Sequence, residues 1–271
     1  MLAPAITDSP MIDAFWEYQD PGLSEQRFRE LLPNLAGDLR LEVLTQIART
    51  YSLRKLFDQA HTLLDQVAPD LLQAGMPPQV RYLLERGRCY RSAGSIEQAR
   101  GLFLQAWEQA NSAGLEGLAV DVAHMIAITY PAMSEAIDWN QQALVLARGS
   151  QDPKAQALLP ALLNNLAWDL HDQGQYEPAL ALFEEAQLLW EQRQKHEQIQ
   201  IARWSVARCL RSLGRYQQAL AIQRALEQEH QANNQVDGYV FEELAENLRA
   251  LGETTQADHY AALARQALGQ A

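Results

Sequence analysis

The sequence predicts an all-α fold, a solenoid of about six helix pairs that follow an N-terminal helical cap. Three observations support this prediction. Apolar residues recur three and four positions apart over stretches of 12 to 20 residues, as they do in amphipathic helices. Sparse glycines and prolines separate these stretches, where one helix is expected to end and the next to begin. A set of small residues then repeats at a nearly constant interval along the chain.

The first element is the predicted cap, residues 1–37. Two helices are expected in it, Met11–Tyr18 and Ser24–Leu35, joined by a turn around Pro21. Its aromatic side chains should be buried against the first repeat, as is usual in the atypical terminal units of solenoids. The predicted anchors are Phe15, Trp16 and Phe28.

Each helix pair that follows has one small residue in each helix. In the first helices these are Ala48, Gly87, Ala123, Ala167, Ala207 and Ala245. In the second helices they are Ala60, Ala99, Ala136, Ala179, Ala219 and Ala257, at spacings of 39, 37, 43, 40 and 38 residues. Antiparallel helices approach closely where a small side chain faces a large one, so the repeat predicts close pairing. The turns within pairs are expected at Lys55, Gly94, Gly174, Gly214 and Gly252.

Ala167, Leu170, Ala179 and Phe183 match the small–large and Ala–Phe pattern of the tetratricopeptide repeat (TPR). The chain resembles the TPR family over about residues 38–268, with a period of about 39 residues in place of the usual 34. The resemblance implies a right-handed superhelix in which residues 38–271 form one continuous domain with the cap. It also implies that the first helix of each pair lines a concave groove.

Arginines are concentrated on the predicted groove face. At the positions one and four residues after the small residue of each first helix, six of 12 residues are arginine, where composition predicts about one. Guanidinium groups suit carboxylates, indoles are frequent binding anchors, and side-chain amides bind peptide backbone. The predicted ligand-binding residues are Arg49, Arg88, Arg91, His124, Asn164, Asn165, Trp168, His171, Trp204, Arg208 and Arg211.

A structural interpretation of the same arginines remains open. They are also placed to pair within the chain with acidic residues of adjacent helices, namely Glu42, Glu85, Asp121 and Glu243. Trp168 is equally placed to be buried against the next repeat. The last repeat is acidic at Glu242 and Glu246, so a groove that is basic before it would orient a polar ligand.

Several functional classes are disfavoured. The net charge of −12 opposes non-specific binding to nucleic acids or to membrane surfaces. Neither a signal peptide nor a membrane-spanning segment is predicted, and Cys89 and Cys209 lack the spacing of a disulfide framework or a zinc site. No phosphate-binding, dinucleotide-binding or catalytic motif is present, so no cofactor, no metal and no enzymatic activity is predicted. The expected location is the cytoplasm.

The predicted function is therefore a non-enzymatic interaction module that binds a peptide segment of a partner protein in the groove, a segment that carries carboxylates if the arginines face it. Two alternatives remain. In one the repeats build a homo-oligomer, and in the other a peptide or metabolite regulates the choice of partner.

Overall fold

The computed structural model describes residues 9–130 and 134–269, and every regular element in these ranges is helical. The contacts divide the chain into two compact units, unit 1 (residues 1–158) and unit 2 (residues 159–271). The α-helices that lie wholly in unit 1 are α1 Pro21–Leu31, α2 Gly37–Leu53, α3 Phe57–Val67, α4 Met76–Ser92, α5 Ile96–Ser112, α6 Glu116–Ala127 and α7 Ser134–Gly149. Helix α8, Pro153–Asp172, begins in unit 1 and continues into unit 2. Unit 2 then contains α9 Tyr176–Gln192, α10 His196–Ser212, α11 Tyr216–Ala232, α12 Gly238–Ala250 and α13 Thr254–Leu268.

The six predicted helix pairs are present. They are α2–α3, α4–α5 and α6–α7, then α8–α9, α10–α11 and α12–α13. Six of these helices, α2, α4, α5, α9, α10 and α11, are each 17 residues long. Two such helices with two three-residue turns account for about 40 residues, so long helices explain the long period.

Small residues bring the paired helices together, as the repeat predicted. The small residues of the first helices and those of the second helices are all buried. Gly87 shows the reason most directly, because a Cβ atom added there would lie 2.4 Å from Cε1 of Phe103. The ring of α5 therefore occupies the space that a side chain on α4 would need.

The predicted turns adopt the left-handed conformation. Gly94, Gly174, Gly214 and Gly252 have φ values between 73° and 87°. Lys55, which stands where the repeat expects glycine, has φ 60°. Glycine tolerates this region because it has no Cβ atom.

The N-terminal segment differs in part from its prediction. The predicted helix Met11–Tyr18 is wrong, because the chain forms a short 3-10 helix over Ser9–Phe15. The next helix, α1, begins earlier than predicted, since Pro21 occupies its first turn and the Asp20 carboxylate caps it by accepting from the Leu23 N–H at 2.9 Å. It ends at Leu31 and is followed directly by a 3-10 helix, Leu32–Asn34. Another 3-10 helix of unit 1, Ala68–Gln73, follows α3.

Of the predicted anchors, Phe28 is fully buried, whereas Phe15 and Trp16 are only partly buried against the same cluster. The indole of Trp16 turns toward α2, where its Nε1–H donates to Gln46 Oε1 at 3.1 Å. The division between the two units lies inside α8, at a place that the sequence did not indicate. The predicted boundary between cap and repeats at residue 37 stays a prediction.

Candidate functional site

Three aromatic side chains form a row across the first helices of unit 2. The rings of Trp168 on α8 and Trp204 on α10 lie 6.1 Å apart, and the rings of Trp204 and Tyr239 on α12 lie 6.5 Å apart. The Trp204 Nε1–H donates to the Tyr239 carbonyl at 3.3 Å, which fixes the indole. Each helix contributes one ring, so the row follows the stacking of the pairs, and we call it the aromatic row.

The aromatic row leads into an open cavity of about 1020 Å³, here called the unit-2 groove. The first half of α10, the last two turns of α11 and the first turn of α12 line it, and Leu226 and Val240 among these residues are buried. Two apolar side chains at its edge are exposed, Ile201 by 54% and Tyr239 by 59%. The remaining lining residues are His196, Glu197, Gln200, Trp204, His230, Asn233, Gln235 and Asp237.

The two predicted groove arginines of unit 2 are already paired. Arg211 makes a two-pronged contact with Glu243, with Nε and Nη2 at 2.7 and 2.9 Å from its two oxygens. Arg208 Nε lies 3.3 Å from the same carboxylate, which is buried on α12. The hydrogen bond to Glu243 raises the pKa of Arg211 despite its partial burial. One buried carboxylate thus holds both predicted ligand-binding guanidiniums.

His171 joins α8 to α10. Its Nε2 lies 2.9 Å from Ser212 Oγ and its Nδ1 lies 3.4 Å from Asp172 Oδ1, the order of groups found in hydrolase triads. Here Arg208 Nη1 also donates to Ser212 Oγ at 2.7 Å, so the hydroxyl contacts both this guanidinium and the ring nitrogen of His171. Burial lowers the pKa of His171. We interpret the group as a contact that holds the two helices together, and the predicted residues Asn164 and Asn165, also on α8, are half-buried.

The predicted groove arginines Arg49 and Arg88 of unit 1 lie on the first helices α2 and α4 and are also engaged. Arg88 contacts Glu85 at 2.6 Å and Asp121 at 2.5 Å. Burial by itself would lower the pKa of Arg88, but these two carboxylates outweigh it and raise the pKa. Arg49 Nη1 lies 3.4 Å from the same Glu85, and its guanidinium lies 5.5 Å from the centre of the Trp16 ring.

The N-terminal segment lies against this same face of unit 1. The Trp16 and Tyr18 rings stack at 5.0 Å, and the guanidinium of Arg49 lies within 6 Å of both. Asp13 of the 3-10 helix is 3.0 Å from Lys154 and 3.9 Å from Arg81. Of the two remaining predicted residues in unit 1, Arg91 is half-buried, with no hydrogen bond to its Nε among the described residues, and burial lowers the pKa of His124.

Residues 158–228 match the tetratricopeptide repeat family model. Among solved structures, apo RapI has a TM-score of 0.75 at 12% identity over 97% of this chain and 74% of RapI. NprR in complex with its cognate peptide NprX has a TM-score of 0.57 at 17% identity, over 95% of this chain and 77% of NprR.

A signal-transduction ATPase with a tetratricopeptide repeat sensor, from Pyrococcus horikoshii, has a TM-score of 0.73 at 15% identity over 92% of this chain. The chain spans only 39% of that protein. No curated protein matches the chain significantly by sequence. At these identities the structural similarities show the fold. The chain has a TPR-like fold.

In this TPR-like chain the ion pairs follow the repeat. An arginine one position after the small residue of a first helix pairs with an acid two positions before the small residue of the next first helix. The pairs are Arg49–Glu85, Arg88–Asp121 and Arg208–Glu243. These are acids that the structural interpretation of the arginines named, and Glu42 pairs instead with Arg81 at 2.5 Å. The ligand-binding role of the arginines stays a prediction.

Sequence reasoning missed the unit-2 groove. Tyr239 lies six residues before Ala245, one turn earlier than the positions considered on the other first helices. Ile201 lies in the same place on α10, six residues before Ala207. The sequence feature that could have indicated Ile201 and Tyr239 is their apolar character at a position that faces away from the core. That they border a cavity depends on the turn at residues 233–237, which only the structure shows.

In the described parts of the chain, the two cysteines, which were candidates for a reactive site, have the properties of packing residues. Cys89 and Cys209 are free and buried, and burial raises the pKa of each thiol to about 11. Within residues 9–130 and 134–269, no group of three or more histidine, cysteine or acidic side chains is arranged to hold a metal ion. No helix in these ranges has the length and apolar character required to cross a membrane.

Proposed function

We propose that this TPR-like chain is a non-enzymatic interaction module that binds an extended peptide segment of a partner protein on the first helices of unit 2. The observation that carries the proposal is the aromatic row, which leads into the unit-2 groove. Exposed apolar side chains that border a cavity are typical of binding surfaces, and tryptophan and tyrosine dominate their energetics. Ile201 and Tyr239 supply such a border here.

The dimensions and polar groups of the unit-2 groove suit a peptide. Its volume of about 1020 Å³ is at the upper end of the range for ligand pockets, which is about 300–1,000 Å³. Gln200, Asn233 and Gln235 line it, and side-chain amides supply both the donors and the acceptors that an extended backbone needs. One structural neighbour, NprR, was solved in complex with its cognate peptide NprX, and another, a Rap protein, was solved in complex with Competence and Sporulation Factor.

In this proposal the arginines contribute less to ligand binding than the sequence suggested. For Arg208 or Arg211 to bind a ligand carboxylate, that carboxylate must compete with Glu243, which is only 3% exposed and already within 3.3 Å of both. In the proposal they chiefly fix α10 against α12 and so keep the aromatic row in place. A cytoplasmic location and a homo-oligomeric state stay predictions.

The first testable prediction concerns partner capture from a cell lysate. Ile201→Asp places a charge at the edge of the unit-2 groove, and we expect recovery of partner proteins to fall by about tenfold or more, since burying an unpaired charge costs well over 1.4 kcal/mol. Recovery is measured by pull-down followed by mass spectrometry.

The matched control is Leu188→Asp. Leu188 on α9 is as exposed as Ile201, both at 54%, but it lies on a second helix and does not line the groove. The control variant should capture the same partners as the unaltered protein. Equal capture by both variants, with helical circular dichroism intact, would contradict the proposal.

A further inference from the structure

The charged side chains that line the unit-2 groove are acidic. Glu197 and Asp237 are among its lining residues, and no lysine or arginine is present among the described residues that line it. All three arginines on α10 are held by acidic side chains, Arg203 by Glu229 at 2.5 Å and Arg208 and Arg211 by Glu243. The charge preference of the groove is therefore opposite to the one that the arginine count suggested.

Asp237 is held in place by the fold. Its Oδ1 accepts from the Tyr239 N–H at 2.9 Å and caps α12, as an N-cap residue does. Its Oδ2 lies 3.8 Å from His230 Nε2, beyond hydrogen-bonding distance. The side chain thus presents a positioned carboxylate oxygen to a ligand without needing to move.

Two aromatic rings meet beside these carboxylates. The planes of Trp204 and Tyr239 are inclined at 75°, with their centres 6.5 Å apart, so they form two walls of a corner. A cation over an aromatic face is stabilised by the ring quadrupole, most strongly with tryptophan. The apolar side chain of Ile201, one turn before Trp204 on α10, provides contact area next to that corner.

We propose that the segment bound in the unit-2 groove carries a lysine or arginine next to a large apolar residue. The apolar side chain packs against Ile201, and the cation lies at the corner of Trp204 and Tyr239 with Glu197 and Asp237 as counter-charges. This inference rests on the proposed function, because it names the chemistry of the ligand at the same site.

The test uses two acetylated and amidated nine-residue peptides with one central leucine. In one peptide the leucine is flanked on both sides by lysine, and in the other by glutamate. Binding to the full chain is followed by NMR of the tryptophan indole N–H groups at pH 8, where an ordinary imidazole is uncharged. We expect the lysine peptide to bind at least tenfold more tightly, and 0.5 M salt to reduce this difference because exposed charges are screened.

The matched variant is Glu197→Gln with Asp237→Asn. Asparagine is as good an N-cap as aspartate, so α12 keeps its cap while the groove loses both charges. We expect the affinity for the lysine peptide to fall about tenfold. The control, Glu184→Gln with Asp258→Asn, removes the same charge from other surfaces of unit 2 and should leave the affinity unchanged.

The inference is overturned by equal or tighter binding of the glutamate peptide, by an unchanged affinity in the groove variant, or by binding of neither peptide at about 5 mM. These outcomes are separate from those of the lysate experiment. If Ile201→Asp abolishes partner capture while the peptides show no charge preference, the proposed function stands and the basic ligand does not.

Discussion

Gly87 shows how the fold depends on one missing methyl group. It stands where the other first helices have alanine, and a Cβ atom there would meet three atoms of the Phe103 ring within 3.0 Å. Phe103 and Phe183 fill the corresponding space in two pairs, and both are fully buried. A small residue in one helix and a large one in the next are thus a single packing unit.

Gly87→Ala is expected to destabilise unit 1 by about 1–2 kcal/mol. Overpacking costs about 1–3 kcal/mol, and the better helix propensity of alanine recovers up to about 1 kcal/mol. The measurement is the urea midpoint by circular dichroism.

The matched control is Gly101→Ala in the neighbouring helix α5. Gly101 is exposed, and a Cβ atom added there has no neighbour within 4 Å. Alanine should therefore stabilise this site by about 0.5–1 kcal/mol. An equal gain in stability for both variants would show that Phe103 does not fill the space beside Gly87.

At the scale of the element, the turn within each pair determines where the second helix begins. In the five pairs other than α6–α7, the turn is three residues long and has one residue in the left-handed region, which is Lys55 in the first pair and glycine in the other four. A non-glycine residue costs about 1–2 kcal/mol there, because its Cβ atom approaches the following carbonyl oxygen. The first pair therefore carries a strain that the four pairs with a glycine turn avoid.

Reciprocal exchange at two equivalent turns tests this strain. Lys55→Gly should stabilise the α2–α3 pair by about 0.5–1 kcal/mol, the steric relief less the greater chain entropy of glycine. Gly94→Lys should destabilise the α4–α5 pair by about 1 kcal/mol, although a Cβ atom at Gly94 has no neighbour within 4 Å. Urea midpoints give both values, and a shift in the same direction for both variants would contradict the conformational explanation.

At the scale of the whole molecule, both units contain histidines that prefer to be neutral. Burial lowers the pKa of His61 and His124 in unit 1 and of His171 in unit 2. Since the unfolded chain then binds protons at higher pH than the folded chain, folding is favoured above the unfolded pKa of about 6.5 and loses stability as the pH falls below it. Asp121 and Glu25 have lowered pKa values, and the stability that they contribute is lost in a separate and more acidic pH range.

The urea midpoint is accordingly expected to decrease between pH 7.5 and pH 5.5. His171→Gln should reduce this decrease for unit 2, because a side-chain amide takes the place of Nε2 beside Ser212 without titrating. His259→Gln is the control, since it makes the same exchange at an exposed position on α13. If the midpoint of the unaltered protein is constant over this range, the assigned effect of burial on these histidines is wrong.

Much of the architecture was predictable because it depends on local pattern. The spacing of Ala60, Ala99 and Ala179 fixed the pairs, and the left-handed role of Lys55 followed from its alignment with Gly94. The N-terminal segment was less predictable, because Trp16 makes its hydrogen bond with Gln46, 30 residues away.

The candidate site was predictable only in part. Trp168 and Trp204 were identified, and the structure places their rings 6.1 Å apart. The partners of the arginines were left open, because each depends on the register between one first helix and the next. Tyr239 was missed, since its contact with Trp204 is made across 35 residues of sequence.

The sequence alone determined that this protein is a stack of paired helices, because helix formation and close pairing depend on residues a few positions apart and on a repeat that is visible in one dimension. Only the tertiary structure decided which surface is available to a ligand. The reason is that the pairing of Arg208 and Arg211 with Glu243, and the opening of the groove beside Tyr239, depend on side chains brought together from different repeats.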